Sequence, residues 1–253
     1  MKELKIYVLG GSASSAHALK ESPAWPQILA NKYPQFELSS ESFGGLTLVQ
    51  SINKLNAIDP VDVVILHFGT SIGWPSAVVD LGHKFGMDFH SEFAFHQPAV
   101  KSKKLGYGLL KNKVRMHIRN LVKYILFIFG LYKPRINPRE IGDQISAVLD
   151  LVEGKAKKVI WIQHQAISDR RTSVERHSYT NFYNRIVADI KARKPVWLEL
   201  LELPDSFIIP ENYLHDSVHL SALGHRRLAK LVDIILVQFF KTIADLPRKR
   251  ENS

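Results

Sequence analysis

Leu4-Lys5-Ile6-Tyr7-Val8-Leu9 is an apolar run that breaks into Gly10-Gly11-Ser12-Ala13-Ser14-Ser15. A short, nearly continuous apolar run bounded by glycines reads as a strand buried on both faces, as in a parallel sheet. The same kind of run recurs over residues 36–40, 61–68, 158–163 and 196–201. Helix-period segments lie between and after these runs, over 26–32, 47–56, 111–129, 138–153, 178–192 and 222–243. Strands alternating with helices predict a five-stranded parallel sheet covered on both faces. The architecture expected is a three-layer α/β/α sandwich of flavodoxin-like type. The whole chain, 1–253, is expected to be one such domain, with an inserted loop and basic helix over about 72–135.

The composition fits that class. Of 253 residues, 45% are hydrophobic and 23% charged, which excludes a disordered chain and a collagen-like repeat. There is no cysteine, so disulfides, thiolate metal sites and cysteine nucleophiles are excluded. The apolar run at the N-terminus is too short for a signal peptide, and a cytoplasmic protein is the expectation.

Ligands of open parallel sheets bind at the carboxyl ends of the strands. Four such places carry small or polar residues: Gly10 to Ser15, Ser42-Phe43-Gly44-Gly45-Leu46-Thr47, Phe68-Gly69-Thr70-Ser71, and His215-Asp216-Ser217-Val218-His219-Leu220-Ser221 before the last helix. A serine becomes a nucleophile when a histidine removes its proton and a carboxylate orients that histidine. Asp216 and His219 are spaced so that the carboxylate can meet one imidazole nitrogen and leave the other for Ser12. Glycine allows the backbone to approach a substrate oxygen, so the N–H groups of Ser12 and Gly45 are the candidate oxyanion donors.

Together these segments resemble the SGNH (GDSL-type) hydrolase superfamily. Val8-Leu9-Gly10-Gly11-Ser12 is similar to its first block, and Gly44-Gly45-Leu46-Thr47 to its second. Asp216-Ser217-Val218-His219-Leu220-Ser221-Ala222-Leu223-Gly224-His225 is similar to its last block and is the strongest single match. The resemblance implies Ser12 as nucleophile, His219 as general base and then acid, and Asp216 as the orienting carboxylate. Two positions depart from the pattern. Gly11 stands where the family has Asp beside the nucleophile, and Ser71 stands where its third block has the oxyanion Asn. Thr70, His67 and Asn184 are candidate replacement donors. Residues 69–75, the basic helix and Phe182-Tyr183-Asn184 also resemble a subset associated with bacterial surface-polysaccharide biosynthesis. That likeness implies an acylated, most simply acetylated, glycan or small ester as substrate, with Trp74, Thr70 and Asn184 as binding residues. The expected activity is that of a serine esterase. An acyltransferase or a non-catalytic glycan-binding protein of the same fold is the alternative. No cofactor and no metal is expected. Trp161 and Trp197 fall in predicted strands and are expected in the core.

The charge is unevenly placed. Lys and Arg number 34 against 24 Asp and Glu, and residues 101–135 hold ten basic residues and no acidic one. The rest of the chain is neutral. Lys111, Arg115, Arg119 and Lys123 recur every four residues, on one side of a helix. Val114, Ile118, Leu121, Val122, Ile125 and Phe129 take the other side. The apolar stretch is about half of the ~20 residues that a membrane span needs. Either this helix packs into a core with a solvated basic face, or it docks on an anionic membrane surface or glycan. The second reading makes the protein peripheral at the inner membrane surface. Charge alone is the sole sign of nucleic-acid binding, which is not expected.

Overall fold

A computed structural model describes residues 4–16, 19, 22–43, 46–68, 121, 124–125, 128–129, 138–163, 184, 187–192, 195–214 and 219–245. The chain divides into two compact units. One comprises Met1–Ser71, Gln144–Ile167 and Asp189–Ser253, and the other Ile72–Asp143 and Ser168–Ala188. The segment expected as an insertion falls in the second unit.

The first unit holds the five parallel strands. They are β1 (Lys5–Gly11), β2 (Glu37–Phe43), β3 (Val61–Phe68), β4 (Ala156–Gln163) and β5 (Leu198–Glu202), in the order β2-β1-β3-β4-β5. The helices are α1 (Trp25–Lys32), α2 (Leu48–Ala57), α3 (Pro138–Glu153) and α4 (Ala222–Asp245). The predicted three-layer sandwich is the architecture observed. Of the helix expected over 178–192, residues 184 and 187–192 are helical and the remainder lies outside the described residues. Of the inserted loop and basic helix expected over about 72–135, only residues 121, 124, 125, 128 and 129 are among the described residues.

Alternation along the strands builds two cores. Ile6 and Val8 of β1, Val63 and Ile65 of β3, and Ile160 and Ile162 of β4 share one face. They cluster with Trp25 and Leu29 of α1 and with Leu228, Val232 and Leu236 of α4. The intervening Leu9, Val64, Leu66, Val159 and Trp161 point to the opposite face and are also buried. In α2, Leu48 and Leu55 are buried, as are Ile145, Val148, Leu149 and Val152 of α3. Near-complete burial of β1, β3 and β4 explains why these strands read as continuous apolar runs. On the α1 side, Lys32 and Tyr33 both bind the carboxylate of Asp233 on α4, which ties the two helices at their solvent edge.

Trp197 departs from its expected place. It precedes β5, is half-buried, and donates its indole N–H to Glu153 at 3.0 Å. An edge strand buries less than a central one, and an indole at its mouth keeps a polar partner. Trp161, on central β4, is buried as expected.

The strand order fixes where a ligand can sit. From β1 the chain moves outward to β2, then crosses back to β3 on the other side. The reversal opens a crevice at the carboxyl ends of β1 and β3.

Candidate active site

The crevice is occupied by a 3-10 turn, Ser12–Ser14, that continues directly from β1. Gly11 before it is extended, with φ −79° and ψ −171°. Any residue can adopt that backbone, so the departure from Asp at this position carries no conformational demand. Gly10 is different. A Cβ there would lie 2.0 Å from Ser14 Oγ and 3.1 Å from the His67 carbonyl oxygen, so only glycine lets the turn fold back against β3. Ser15 holds the turn closed, its N–H and its hydroxyl both donating to the Ser12 carbonyl at 3.2 and 2.9 Å.

His219 arrives from the other end of the chain. Its Nε2 lies 3.0 Å from Ser12 Oγ, across 207 residues of sequence. Both side chains are half-buried. The loop that delivers His219 is pinned on each side. Leu214 N–H donates to the His219 carbonyl at 2.8 Å, and Tyr213 and Leu220 form an isolated antiparallel bridge. Ser221 then caps α4, accepting from Gly224 N–H at 3.1 Å and donating to the Glu211 carbonyl at 2.5 Å. A Cβ on Gly224 would meet the Asn212 carbonyl oxygen at 2.0 Å, which explains the glycine at this point of the last block. Asn212 is fully buried and satisfied. It donates to the Phe207 carbonyl at 2.7 Å and accepts from Arg227 at 3.1 Å.

Behind the turn lies a buried polar cluster. Ser14 Oγ sits 2.7 Å from His67 Nδ1, and Trp25 Nε1 reaches the same nitrogen at 3.2 Å. The indole N–H can only donate, so His67 Nδ1 carries no proton and the Ser14 hydroxyl donates to it as well. The two rings meet edge to face with centroids 5.7 Å apart. His225, also buried, accepts from the Trp25 backbone N–H at 3.2 Å. Trp25 opens α1, Pro26 follows, and Ala24 offers no side-chain cap. His225 therefore serves as the acceptor that this helix start lacks locally. Burial pushes the His225 imidazole down to about 4, and the neighbouring charge of His219 pushes the same way. It is neutral at pH 7.

The second strand end is anchored comparably. Leu46 is buried, and Thr47 forms a reciprocal capping box with Gln50 at the start of α2. Glu41 at the end of β2 binds Tyr7 at 3.0 Å and Lys54 at 2.8 Å. The Lys54 hydrogen bond leads the effects that hold its carboxyl below the usual range, although burial opposes it.

Several solved structures share this fold. A lipase/acylhydrolase from Enterococcus faecalis superposes with a TM-score of 0.55 at 16% identity, covering 90% of this chain and 93% of that one. A member of the lipolytic G-D-S-L family from Veillonella parvula superposes at 0.54 and 10% identity, covering 92% and 98%. The chain has the fold of the SGNH, or GDSL-type, hydrolases. An acetyl xylan esterase from Geobacillus stearothermophilus shares it too, with a TM-score of 0.51 at 13% identity over 92% and 95% of the two chains. No protein-family model matches the chain, and no curated protein matches it in sequence.

Within this SGNH fold the structure brings Ser12 and His219 together. Asp216, Gly45, Thr70, Ser71, Trp74, Lys111, Arg115, Arg119 and Lys123 lie outside the described residues. Asn184 is an exposed helical residue of the second unit. His67, expected as a possible replacement donor, is instead fully buried with its Nδ1 committed to Ser14 and Trp25. Its packing supports the turn from the core side. Sequence reading missed Ser14, Trp25 and Asn212. Their partners are 53, 42 and, for Asn212 with Arg227, 15 residues away, and no local pattern announces them.

Proposed function

We propose that this chain is a serine-dependent acyl hydrolase acting on carboxylic esters, with an acetylated carbohydrate as its substrate class. The observation that carries the reading is the 3.0 Å approach of His219 Nε2 to Ser12 Oγ at the crevice of an SGNH fold. At that distance a neutral imidazole accepts the hydroxyl proton as Oγ attacks the ester carbonyl. The resulting imidazolium returns the proton to the departing alkoxide and leaves an acyl group on Ser12. Water, deprotonated by the same nitrogen, then releases the acid and restores the serine. Asp216, three residues before His219, is the carboxylate assigned to orient the imidazole and stabilise its cation.

The neutral His225 places no second positive charge beside His219, so the transient imidazolium forms without a like-charged neighbour. The tetrahedral oxyanion is assigned to the backbone N–H groups of Ser12 and Gly45, with the Ser71 hydroxyl as third donor. A serine reaches less far than the family's asparagine, and losing one such donor costs roughly 10²–10³ in turnover. A slow enzyme is therefore expected. The carbohydrate part of the reading is supported by the acetyl xylan esterase among the structures of like fold.

The test is hydrolysis of a small activated acetyl ester by the wild type, Ser12→Ala and His219→Ala, purified in parallel. Turnover by the wild type that falls roughly 10⁴-fold or more in both variants, with the fold intact, supports the reading. A wild type at background overturns it. Comparison of acetylated xylo-oligosaccharide with a simple alkyl acetate then tests the substrate class.

A further inference from the structure

In the second unit, the described apolar residues of one helical stretch are exposed. Leu121, Tyr124, Ile125 and Ile128 are helical, and Phe129 closes the turn with its N–H on the Ile125 carbonyl at 3.1 Å. Their spacing of three, one, three and one residues puts all five on one stripe of an α-helix. That periodicity ordinarily marks a face packed into a core. Here every one of them is exposed, from 43% at Ile125 to 73% at Phe129. The core-packed expectation for this segment therefore fails at Leu121, Ile125 and Phe129.

The surrounding sequence says what kind of surface suits the stripe. Residues 101–135 carry ten Lys and Arg and no Asp or Glu. A second copy of the chain would bring two such segments of like charge together. An anionic lipid surface is complementary to both features at once: its charge attracts a segment of net positive charge, and its acyl boundary accepts an apolar stripe. The stripe's length also fits. Nine residues at helical rise cover about 13 Å, too short to cross a bilayer and suited to lying in its interface. Among the described residues no helix is long and apolar enough to span a membrane.

We propose that Leu121, Tyr124, Ile125, Ile128 and Phe129 form a membrane-docking stripe that seats on anionic lipid, drawn there by the net positive charge of the 101–135 sequence. The proposal is independent of the esterase reading.

The chain's lack of cysteine makes the test clean, because Phe129→Cys provides a single site for an environment-sensitive fluorophore. The full chain is mixed with vesicles of phosphatidylcholine, with and without phosphatidylglycerol. Expected is co-sedimentation with the anionic vesicles only, weakened by salt, and a severalfold rise in the fluorescence of the label. The triple variant Leu121→Ser, Ile128→Ser, Phe129→Ser, whose changes are all at exposed positions, should bind roughly tenfold more weakly or worse with an unchanged circular dichroism spectrum. No sedimentation with anionic vesicles overturns the proposal. So does full binding by the triple variant with a silent label, which would mean charge alone. A wild-type dimer that the triple variant converts to monomer would assign the stripe to self-association and overturn it too. Ester turnover, measured on the same samples, reports separately on Ser12.

Discussion

The 3-10 turn after β1 presents two serines, two residues apart, and each meets a histidine. Ser12 meets Nε2 of His219 at 3.0 Å, and Ser14 meets Nδ1 of His67 at 2.7 Å. By distance alone the second pair is the better one. Its surroundings make it inert: both residues are buried, and the nitrogen is shared with the Trp25 indole, so it has no room for a further proton and no path to a substrate. The first pair is half-buried and stands at the sheet's crevice. A serine close to a histidine is thus not yet a nucleophile. Access decides which pair can do chemistry.

The sharpest way to break this contrast is to remove each hydroxyl in turn. Ser12→Ala should lower ester turnover by roughly 10⁴-fold or more, whereas Ser14→Ala should leave most activity and cost about 1 kcal/mol of stability, read by urea unfolding. Equal loss in both would dissolve the distinction. Next in size is the inert histidine. His67→Leu strands the Trp25 indole N–H and the Ser14 hydroxyl in the core, and unfolding should become easier by about 3 kcal/mol. His67→Asn, which can still offer an acceptor, should lose distinctly less.

His225 sharpens the contrast through pH. Its folded value of about 4 lies below the ordinary 6.5, so between these the unfolded chain holds a proton that the folded chain refuses. Its effect is absent above pH 6.5, grows as pH falls, and amounts to a loss of about 3 kcal/mol by pH 4. Denaturant midpoints across that window should therefore decline in the wild type and flatten in His225→Gln. The smallest effect is expected at the cap of α4. Ser221→Ala should lower stability by about 1 kcal/mol, seen as a modest drop in Tm.

The sheet was readable in the sequence because β1, β3 and β4 are buried on both faces and so leave unbroken apolar runs. The last block was readable because its elements act locally. Ser221 caps its own helix, and Gly224 makes room for a carbonyl twelve residues back. What escaped reading depends on partners far along the chain. Nothing near His67 indicates that Trp25 and Ser14 will claim its nitrogen, and nothing near Trp197 reveals that its strand will be an edge. The stripe at Leu121 to Phe129 shows a further limit. Periodicity fixes which side chains share a face, but not whether protein will cover them.

The site is stitched from opposite ends of the chain. The serine turn and the start of α1 lie within the first 25 residues, while their partners His219 and His225 follow 207 and 200 residues later. During synthesis the serine emerges long before the base that activates it, and α1 waits equally long for the acceptor at its first turn. A chain growing on the ribosome therefore carries the hydroxyl without its base until residue 219 has been made. A product cut short between β5 and His219 keeps all five strands yet lacks the base of the pair, so the sheet can be complete in sequence while the site is not.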